Sequence, residues 1–82
     1  MERLAQGAFV QAFRTYLANR EAQRAKQAII KQIPRQGTWF FFQVDGQDYA
    51  IRVLHTGSVE VMYSIFSQKQ KEAFALPLFR ED

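Results

Sequence analysis

The sequence predicts an α+β fold: a long N-terminal helical segment packed on a three-stranded antiparallel β-meander, with a short C-terminal helix or an extended tail. Residues 2–33 contain no Pro and a single Gly and consist mostly of helix formers. Residues 38–66 are instead apolar runs separated by turn signals. At 82 residues we expect a single small domain, with the helical segment at 1–33, the meander at 38–66 and the short helix or tail at 67–79.

The apolar face of the helical segment changes side near Asn19. Successive residues of a helix are about 100° apart, so side chains on one face can be read from their spacing. In the first half, the apolar stripe consists of Phe9, Phe13, Tyr16 and Leu17. In the second half, the apolar stripe lies on a different side and consists of Ala22, Ala25, Ile29 and Ile33.

Two structures are compatible with this change of face. In one, Asn19 interrupts the helix and gives helices of about 2–18 and 20–33 over one core, because Asn suits caps better than helix interiors. In the other, one helix of about 30 residues, about 45 Å long, places its second half on the sheet and its first half on a second copy of the protein. We favour the continuous helix, because no Gly, Pro, Ser, Thr or Asp stands at the junction.

Asp45-Gly46 lies between two apolar runs and is typical of a two-residue β-hairpin turn. Such a turn fixes the register of the two strands. The predicted opposite pairs are Trp39 and Arg52, Phe40 and Ile51, Phe41 and Ala50, Phe42 and Tyr49, Gln43 and Asp48, and Val44 and Gln47. We expect the second strand at about 48–54, a turn at 55–58 and a third strand at 59–66.

The register separates the side chains of the meander into two faces, because side chains alternate along each strand. The predicted core face carries Phe40, Phe42, Val44, Tyr49, Ile51, Val53, Val59, Val61, Tyr63 and Ile65. The second face is mixed and carries Trp39, Phe41, Gln43, Asp48, Ala50, Arg52, Glu60, Met62, Ser64 and Phe66. Trp39 opposite Arg52 predicts a cation–π contact.

Three interpretations of the aromatic residues on the second face remain open. The C-terminal tail covers them, through Phe74, Leu76, Leu78 and Phe79. Alternatively they bind a protein partner or a second copy, as clustered exposed aromatic residues do. In the third interpretation they form a platform on which nucleic-acid bases stack.

The C-terminal part begins with a helix-start signal. Ser67 followed by Gln70 has the form of a capping box, and we expect a short helix of about 68–75. Pro77 stops it. The apolar residues Leu76, Leu78 and Phe79 then dock on the core or pair at an edge of the sheet.

Basic side chains are concentrated in the N-terminal part. Residues 1–35 hold seven basic and two acidic side chains, a net charge of +5, whereas the remainder holds four basic and six acidic ones, a net charge of −2. Arg20, Arg24, Gln27 and Lys31 share one helical stripe, and such a stripe can follow phosphates. The candidate nucleic-acid-binding residues are Arg14, Arg20, Arg24, Lys31 and Arg35.

The predicted order of elements, α-β-β-β-α, is similar in outline to that of double-stranded-RNA-binding domains. The stretch Ser67-Gln68-Lys69-Gln70-Lys71 corresponds to the basic residues with which such domains begin their last helix. The resemblance concerns the order of elements and implies nucleic-acid binding as an alternative function.

Catalysis is not indicated. The chain has no Cys, which excludes disulfides, thiolate metal sites and cysteine nucleophiles. The single His, His55, stands in a predicted turn without an orienting acid, and Asp45 and Asp48 suit turn chemistry and exposed strand ends. No phosphate-binding loop is present. We therefore expect no catalytic residue, metal, cofactor or small-molecule substrate.

The sequence predicts a non-catalytic protein-interaction module, homodimeric, that acts as a small adaptor, regulator or inhibitor of a larger protein. The candidate interaction residues are Phe9, Phe13, Tyr16, Leu17, Trp39, Phe41, Arg52, Met62 and Phe66. No apolar run approaches the roughly 20 residues of a membrane span, and the first residues do not resemble a signal peptide. We therefore expect no membrane partner and a cytoplasmic location.

Overall fold

The computed structural model describes residues 2–74 and 76–79. Its elements are α1 (Glu2–Ala18), α2 (Gln23–Gln32), β1 (Phe40–Val44), β2 (Gln47–Val53), β3 (Val59–Ser64), α3 (Gln68–Ala73) and β4 (Leu76–Phe79). The chain divides into two compact units, Met1–Pro34 with the first two helices and Arg35–Asp82 with the sheet and α3. The predicted α+β class is confirmed, but the sheet has four strands rather than the three of a meander.

The N-terminal segment is broken at Asn19, so our preference for a continuous helix is wrong. The Asn19 backbone N–H donates the last helical hydrogen bond, to Thr15 (2.9 Å), and the Ala22 N–H then closes a turn on the Asn19 carbonyl (3.1 Å). The Asn19 side-chain oxygen accepts from the Glu21 N–H (3.0 Å). Asn thus satisfies backbone groups that a helix would otherwise bond, which is why it favours turns, and no Ser, Thr or Asp is required.

Most residues of the two apolar stripes predicted for the helical segment are buried, whereas Leu17, Ala22 and Ile33 are half-buried. Phe9, Phe13 and Tyr16 on α1 are buried, as are Ala25 and Ile29 on α2. The rings of Phe9 and Phe13 stack with centroids 6.0 Å apart, and α1 and α2 pack against each other. The break lets one chain bury both stripes. The long helix that motivated a partner for the first half is therefore absent.

The β1–β2 hairpin has the predicted register. Asp45 and Gly46 both have positive φ, 53° and 77°, as a type I′ turn requires. Phe40 pairs with Ile51, and the four predicted pairs between them and the turn are also present. The second turn is confirmed as well, with the Leu54 N–H donating to the Ser58 carbonyl (2.9 Å).

The third strand is shorter than predicted. β3 pairs antiparallel with β2 from Val53–Val59 to Asp48–Ser64, so the prediction that the strand reaches residue 66 is wrong. The Gln47 side-chain amide donates to the Ser64 carbonyl (3.0 Å), and the Phe66 N–H donates to the Asp48 carboxylate (3.4 Å). These side-chain bonds turn the chain away from the ladder after Ser64.

The C-terminal part contains both predicted alternatives, a helix and an extended strand. Ser67 accepts from the Gln70 N–H (3.1 Å) and the Gln70 side chain accepts from the Ser67 N–H (2.8 Å), which confirms the capping box. β4 then lies beside β1 and runs parallel to it, giving the order β3-β2-β1-β4. Pro77 stands in this edge strand, where a residue without an N–H is tolerated.

The turn at Gly46 generates a stability prediction. Gly46→Ala places a Cβ on a residue with φ of 77°, and we expect the free energy of unfolding to fall by about 1–2 kcal/mol. Gly7→Ala is the matched control, since it lies in α1 with open space around the new Cβ. That variant should gain about 0.5–1 kcal/mol. Urea unfolding of both variants measures the difference, and equal effects would contradict the assigned turn.

Candidate functional site

The second face of the sheet is covered within the chain. Phe41 and Phe66 are only 2% and 6% exposed and form a buried cluster with Ala50. Phe74 packs on this cluster, with its ring 6.4 Å from that of Phe41 and 5.4 Å from that of Phe66, and Trp39 borders it. Of the three interpretations of this face, the described residues support cover by the C-terminal part, through Phe74.

The covering segment is held by Asp48, which is 8% exposed. Its carboxylate accepts from the Gln43 side chain (2.7 Å) and from the Phe66 backbone N–H (3.4 Å). The Lys71 ammonium on α3 lies 3.5 Å away. Our prediction that Asp48 suits an exposed strand end is wrong, because α3 and the chain before it fold over this carboxylate.

The predicted cation–π contact is present at the border of the cluster. The Arg52 guanidinium carbon lies 4.5 Å from the centre of the Trp39 ring. Arg52 also donates from Nε (2.7 Å) and from Nη2 to one carboxylate oxygen of Glu60. Arg52 therefore contacts both Trp39, just before β1, and Glu60 on β3, and the charge of Glu60 is matched within the sheet.

The candidate interaction residues thus occupy different environments. Phe9, Phe13, Tyr16, Phe41 and Phe66 are buried, Leu17, Trp39 and Arg52 are half-buried, and Met62 is exposed. The buried rings do not offer a surface to a partner in this conformation. Of this set, only Met62 provides an exposed apolar side chain.

The surface that the sequence analysis missed lies next to Met62. Met62, Tyr63 and Ile65 are 39%, 65% and 93% exposed and are the exposed large apolar side chains of the described residues. Tyr63 and Ile65 were predicted in the core, and both predictions are wrong because both side chains are exposed, Ile65 because the strand ends before it. Tyr63 shares a face with Tyr49, its ring 6.1 Å away, but stands on an edge strand. Alternation alone does not tell which strand is at the edge.

The backbone of β3 is open on one side. Among the described residues β3 pairs with β2 alone. The hydrogen bond from Leu54 to Ser58 continues the register of that pair. Since hydrogen-bonded and non-hydrogen-bonded pairs alternate along an antiparallel ladder, even-numbered residues of β3 bond to β2. Val59, Val61 and Tyr63 therefore direct their N–H and C=O groups to the open side.

The two edges of the sheet differ in their protection against further pairing. β4 contains Pro77, and its pairing with β1 shifts register between Phe41 and Phe42; both features discourage strand addition. β3 has neither Lys nor Pro and pairs in a regular register over six residues. Its one charged side chain, Glu60, is already bound by Arg52. β3 is therefore the edge suited to another strand.

A second candidate surface is the polar face of α2. Arg24, Gln27 and Lys31 share this face, as predicted, and together with Ala8, Ala28 and Gln32 they line a groove of about 330 Å³ on the helical unit. Arg24 and Lys31 are both exposed, and they lie about 10.5 Å apart along the helix axis, at about 1.5 Å per residue. Small Ala side chains leave the space between the longer polar ones.

The other candidate nucleic-acid residues do not all join this face. Arg20 lies in the turn after α1, with its guanidinium carbon 5.2 Å from the centre of the Tyr16 ring. Arg14 is exposed on α1, and Arg35 is exposed in the other unit. The observed order, α-α-β-β-β-α-β, departs from the α-β-β-β-α order of double-stranded-RNA-binding domains by the helix break and the fourth strand.

Metal-binding side chains are not clustered in the described part of the chain. His55 is exposed, and within residues 2–74 and 76–79 no three His, Asp or Glu side chains are grouped to hold a metal ion. The helices in this part of the chain are too short or too polar to cross a membrane. Comparison with protein-family models, curated proteins and solved structures finds no match to this chain.

The anchoring role of Asp48 is testable by stability. Asp48→Ala removes the acceptor for Gln43 and Phe66 and the partner of Lys71, so we expect unfolding free energy to fall by about 1–3 kcal/mol. Glu72→Ala removes an exposed carboxylate from α3 and should change it by less than about 0.5 kcal/mol. Urea unfolding followed by the fluorescence of Trp39, the single Trp, gives both values. Similar losses in the two variants would argue against the anchor.

Proposed function

We propose that the protein is a non-catalytic protein-interaction module that binds an extended polypeptide segment along the open edge of β3. The observation that carries this proposal is the coincidence of an unprotected edge strand with the three exposed apolar side chains, Met62, Tyr63 and Ile65. Strand addition to a sheet edge is a common mode of peptide recognition. In this mode, main-chain hydrogen bonds supply affinity and alternate side chains supply specificity.

The edge offers both components of such recognition. Val59, Val61 and Tyr63 present backbone donors and acceptors, as the ladder alternation requires. On one face an added strand meets Tyr63 and Val61, and on the other face it meets Met62. An apolar, alternating segment without charge at its centre fits this surface, because Glu60 is matched by Arg52.

A module of this kind acts as a small adaptor, regulator or inhibitor of a larger protein, because its edge strand β3 binds an extended segment of that protein. The chain without Cys is consistent with the cytoplasmic location that we propose. The buried cluster of Phe41, Ala50 and Phe66 then serves to keep the sheet rigid behind the edge.

Blocking the edge should remove peptide binding without unfolding the protein. We expect eight-residue peptides selected from a phage-displayed random library to bind the native protein and to lose at least tenfold in affinity with Val61→Pro. Pro has no N–H, and the Val61 N–H points to the open side, so the ladder with β2 is preserved. Fluorescence polarisation measures the affinity, and circular dichroism checks the fold.

Ile65→Lys provides a second block that leaves the backbone unchanged, because edge Lys residues disfavour strand addition. Glu60→Pro is the matched control for the backbone. The Glu60 N–H bonds to β2, so the loss of this hydrogen bond should lower the melting temperature, unlike the change in Val61→Pro. A library that yields no binder, or binders that retain full affinity for both blocked variants, would contradict the proposed function.

Nucleic-acid binding is a second candidate, favoured by the groove of α2. Arg24 and Lys31 project from one face with two Gln side chains, Gln27 and Gln32, around the same groove. Cationic and amide side chains in this arrangement suit phosphate oxygens. The proposal requires no base contact and predicts binding that depends on salt concentration.

The double variant Arg24→Gln with Lys31→Gln tests this candidate on a duplex RNA and a duplex DNA in a gel-shift titration. If both side chains contact phosphates, the slope of log K against log salt should shrink by about 1.8 for DNA. Lys26→Gln with Lys69→Gln is the control, because it removes the same charge from positions outside the groove. No shift of either duplex at low salt, or equal loss in the control, would exclude the α2 face.

A further inference from the structure

We infer that the strand bound at the open edge is β3 of a second copy, paired antiparallel about a two-fold axis at Met62. This inference rests on the proposed function of the edge and names its occupant. The open edge runs from Val59, at the start of β3, to Ile65, the residue after its end, and Met62 is the midpoint of this stretch, which is half-buried at 59–61 and exposed at 62–65. A two-fold axis there gives the longest overlap between two copies of this segment.

The direction of the backbone groups agrees with this axis. Val59, Val61 and Tyr63 direct their N–H and C=O groups to the open side. With Met62 facing Met62 of the second copy, Val61 lies opposite Tyr63 of that copy. Both members of this pair are odd-numbered, so they exchange hydrogen bonds, whereas the two Met62 residues form a non-hydrogen-bonded pair.

The side chains brought together are complementary. Val61 lies opposite Tyr63 of the second copy, a β-branched and aromatic pair of the kind that stabilises sheets. In the dimer Ile65, which directly follows the end of β3 in the single chain, extends the strand by one residue and lies opposite Val59, which covers a side chain that is 93% exposed in the single chain. Glu60 lies opposite Ser64, so no two like charges meet. Each exposed apolar residue of the edge thereby gains an apolar neighbour.

Neighbouring registers lack this combination. If the axis passes through Glu60, the two carboxylates face each other, which is destabilising. If it passes through Val61, Glu60 lies opposite Met62 and Ile65 is left beyond the overlap. If it passes through Tyr63, the overlap shortens and Val59 loses its partner. An axis between two residues is excluded, because it would place side chains of opposite faces together.

The resulting dimer has one continuous sheet of eight strands, four from each copy. The two open β3 edges pair with each other. The outer edges of the eight-stranded sheet are then the two β4 strands, which contain Pro77. A closed two-fold arrangement of this type ends at the dimer, because the protected edges do not add further strands.

Disulfide trapping tests the axis. Because the chain has no native Cys, each disulfide can form only at the introduced Cys. In a non-hydrogen-bonded antiparallel pair the Cα atoms are about 4.5 Å apart, within the range of a disulfide. The full-length variant Met62→Cys, oxidised with a glutathione buffer, should therefore give a covalent dimer. We expect at least tenfold more dimer than for Ile65→Cys, although Ile65 is more exposed than Met62.

Val61→Cys and Tyr63→Cys check the register, because like residues at these positions are diagonal neighbours, roughly 7–8 Å apart. They should form less dimer than Met62→Cys. Adding Val61→Pro to Met62→Cys should abolish trapping. More dimer from Val61→Cys, Tyr63→Cys or Ile65→Cys than from Met62→Cys would overturn the axis, and so would a monomer at every concentration in light scattering.

Failure of this inference is distinguishable from failure of the proposed function. If selected peptides bind the edge and Val61→Pro blocks them while Met62→Cys stays monomeric, the edge binds strands but the second copy is not its occupant. If neither peptides nor a second copy bind, the edge has no such function. If Met62→Cys forms the dimer and the peptides compete with it, both the edge and its occupant are established.

Discussion

The turn at Asp45 and Gly46 decides which side chains share a face of the sheet. Both residues have positive φ, 53° and 77°, and this two-residue geometry allows one register between β1 and β2. A slip by one residue would move Phe40 and Phe42 to the face that carries Asp48. It would also move Phe41 to the face that carries Tyr49 and Ile51. The direction of every backbone group of β2, and through it of β3, follows from this register.

The register creates a second apolar face that requires cover, and Asp48 connects the cover to the sheet. Phe41 and Phe66 would be exposed on a three-stranded meander, but Phe74 lies on them. The segment that carries Phe74 is held because the buried carboxylate of Asp48 binds both the Phe66 N–H and Lys71. A buried carboxylate is tolerated only when it is paired and hydrogen-bonded, as it is here.

The C-terminal part that covers this face continues into β4, which pairs with β1. β3 is therefore left at the other edge of the sheet. The same arrangement explains the location of the candidate site. A C-terminal strand containing Pro77 protects one edge, whereas Met62, Tyr63 and Ile65 remain exposed at the other. An exposed, regular edge without Lys or Pro is a surface that proteins generally avoid unless it has a partner, which connects the path of the tail to the proposed strand binding.

The sequence by itself determined the features set by neighbouring residues: the type I′ turn, the hairpin register, the capping box at Ser67 and Gln70, and the apolar stripes of both helices. Each depends on interactions within a few residues, which recur wherever that pattern occurs. The tertiary structure decided between the broken and the continuous helix at Asn19. It also decided that β4 pairs parallel to β1 and that Tyr63 and Ile65 are exposed. These features depend on which distant segments meet. The free energy released by burying both helical stripes is a property of the whole chain, and so is the identity of the strand at the edge of the sheet.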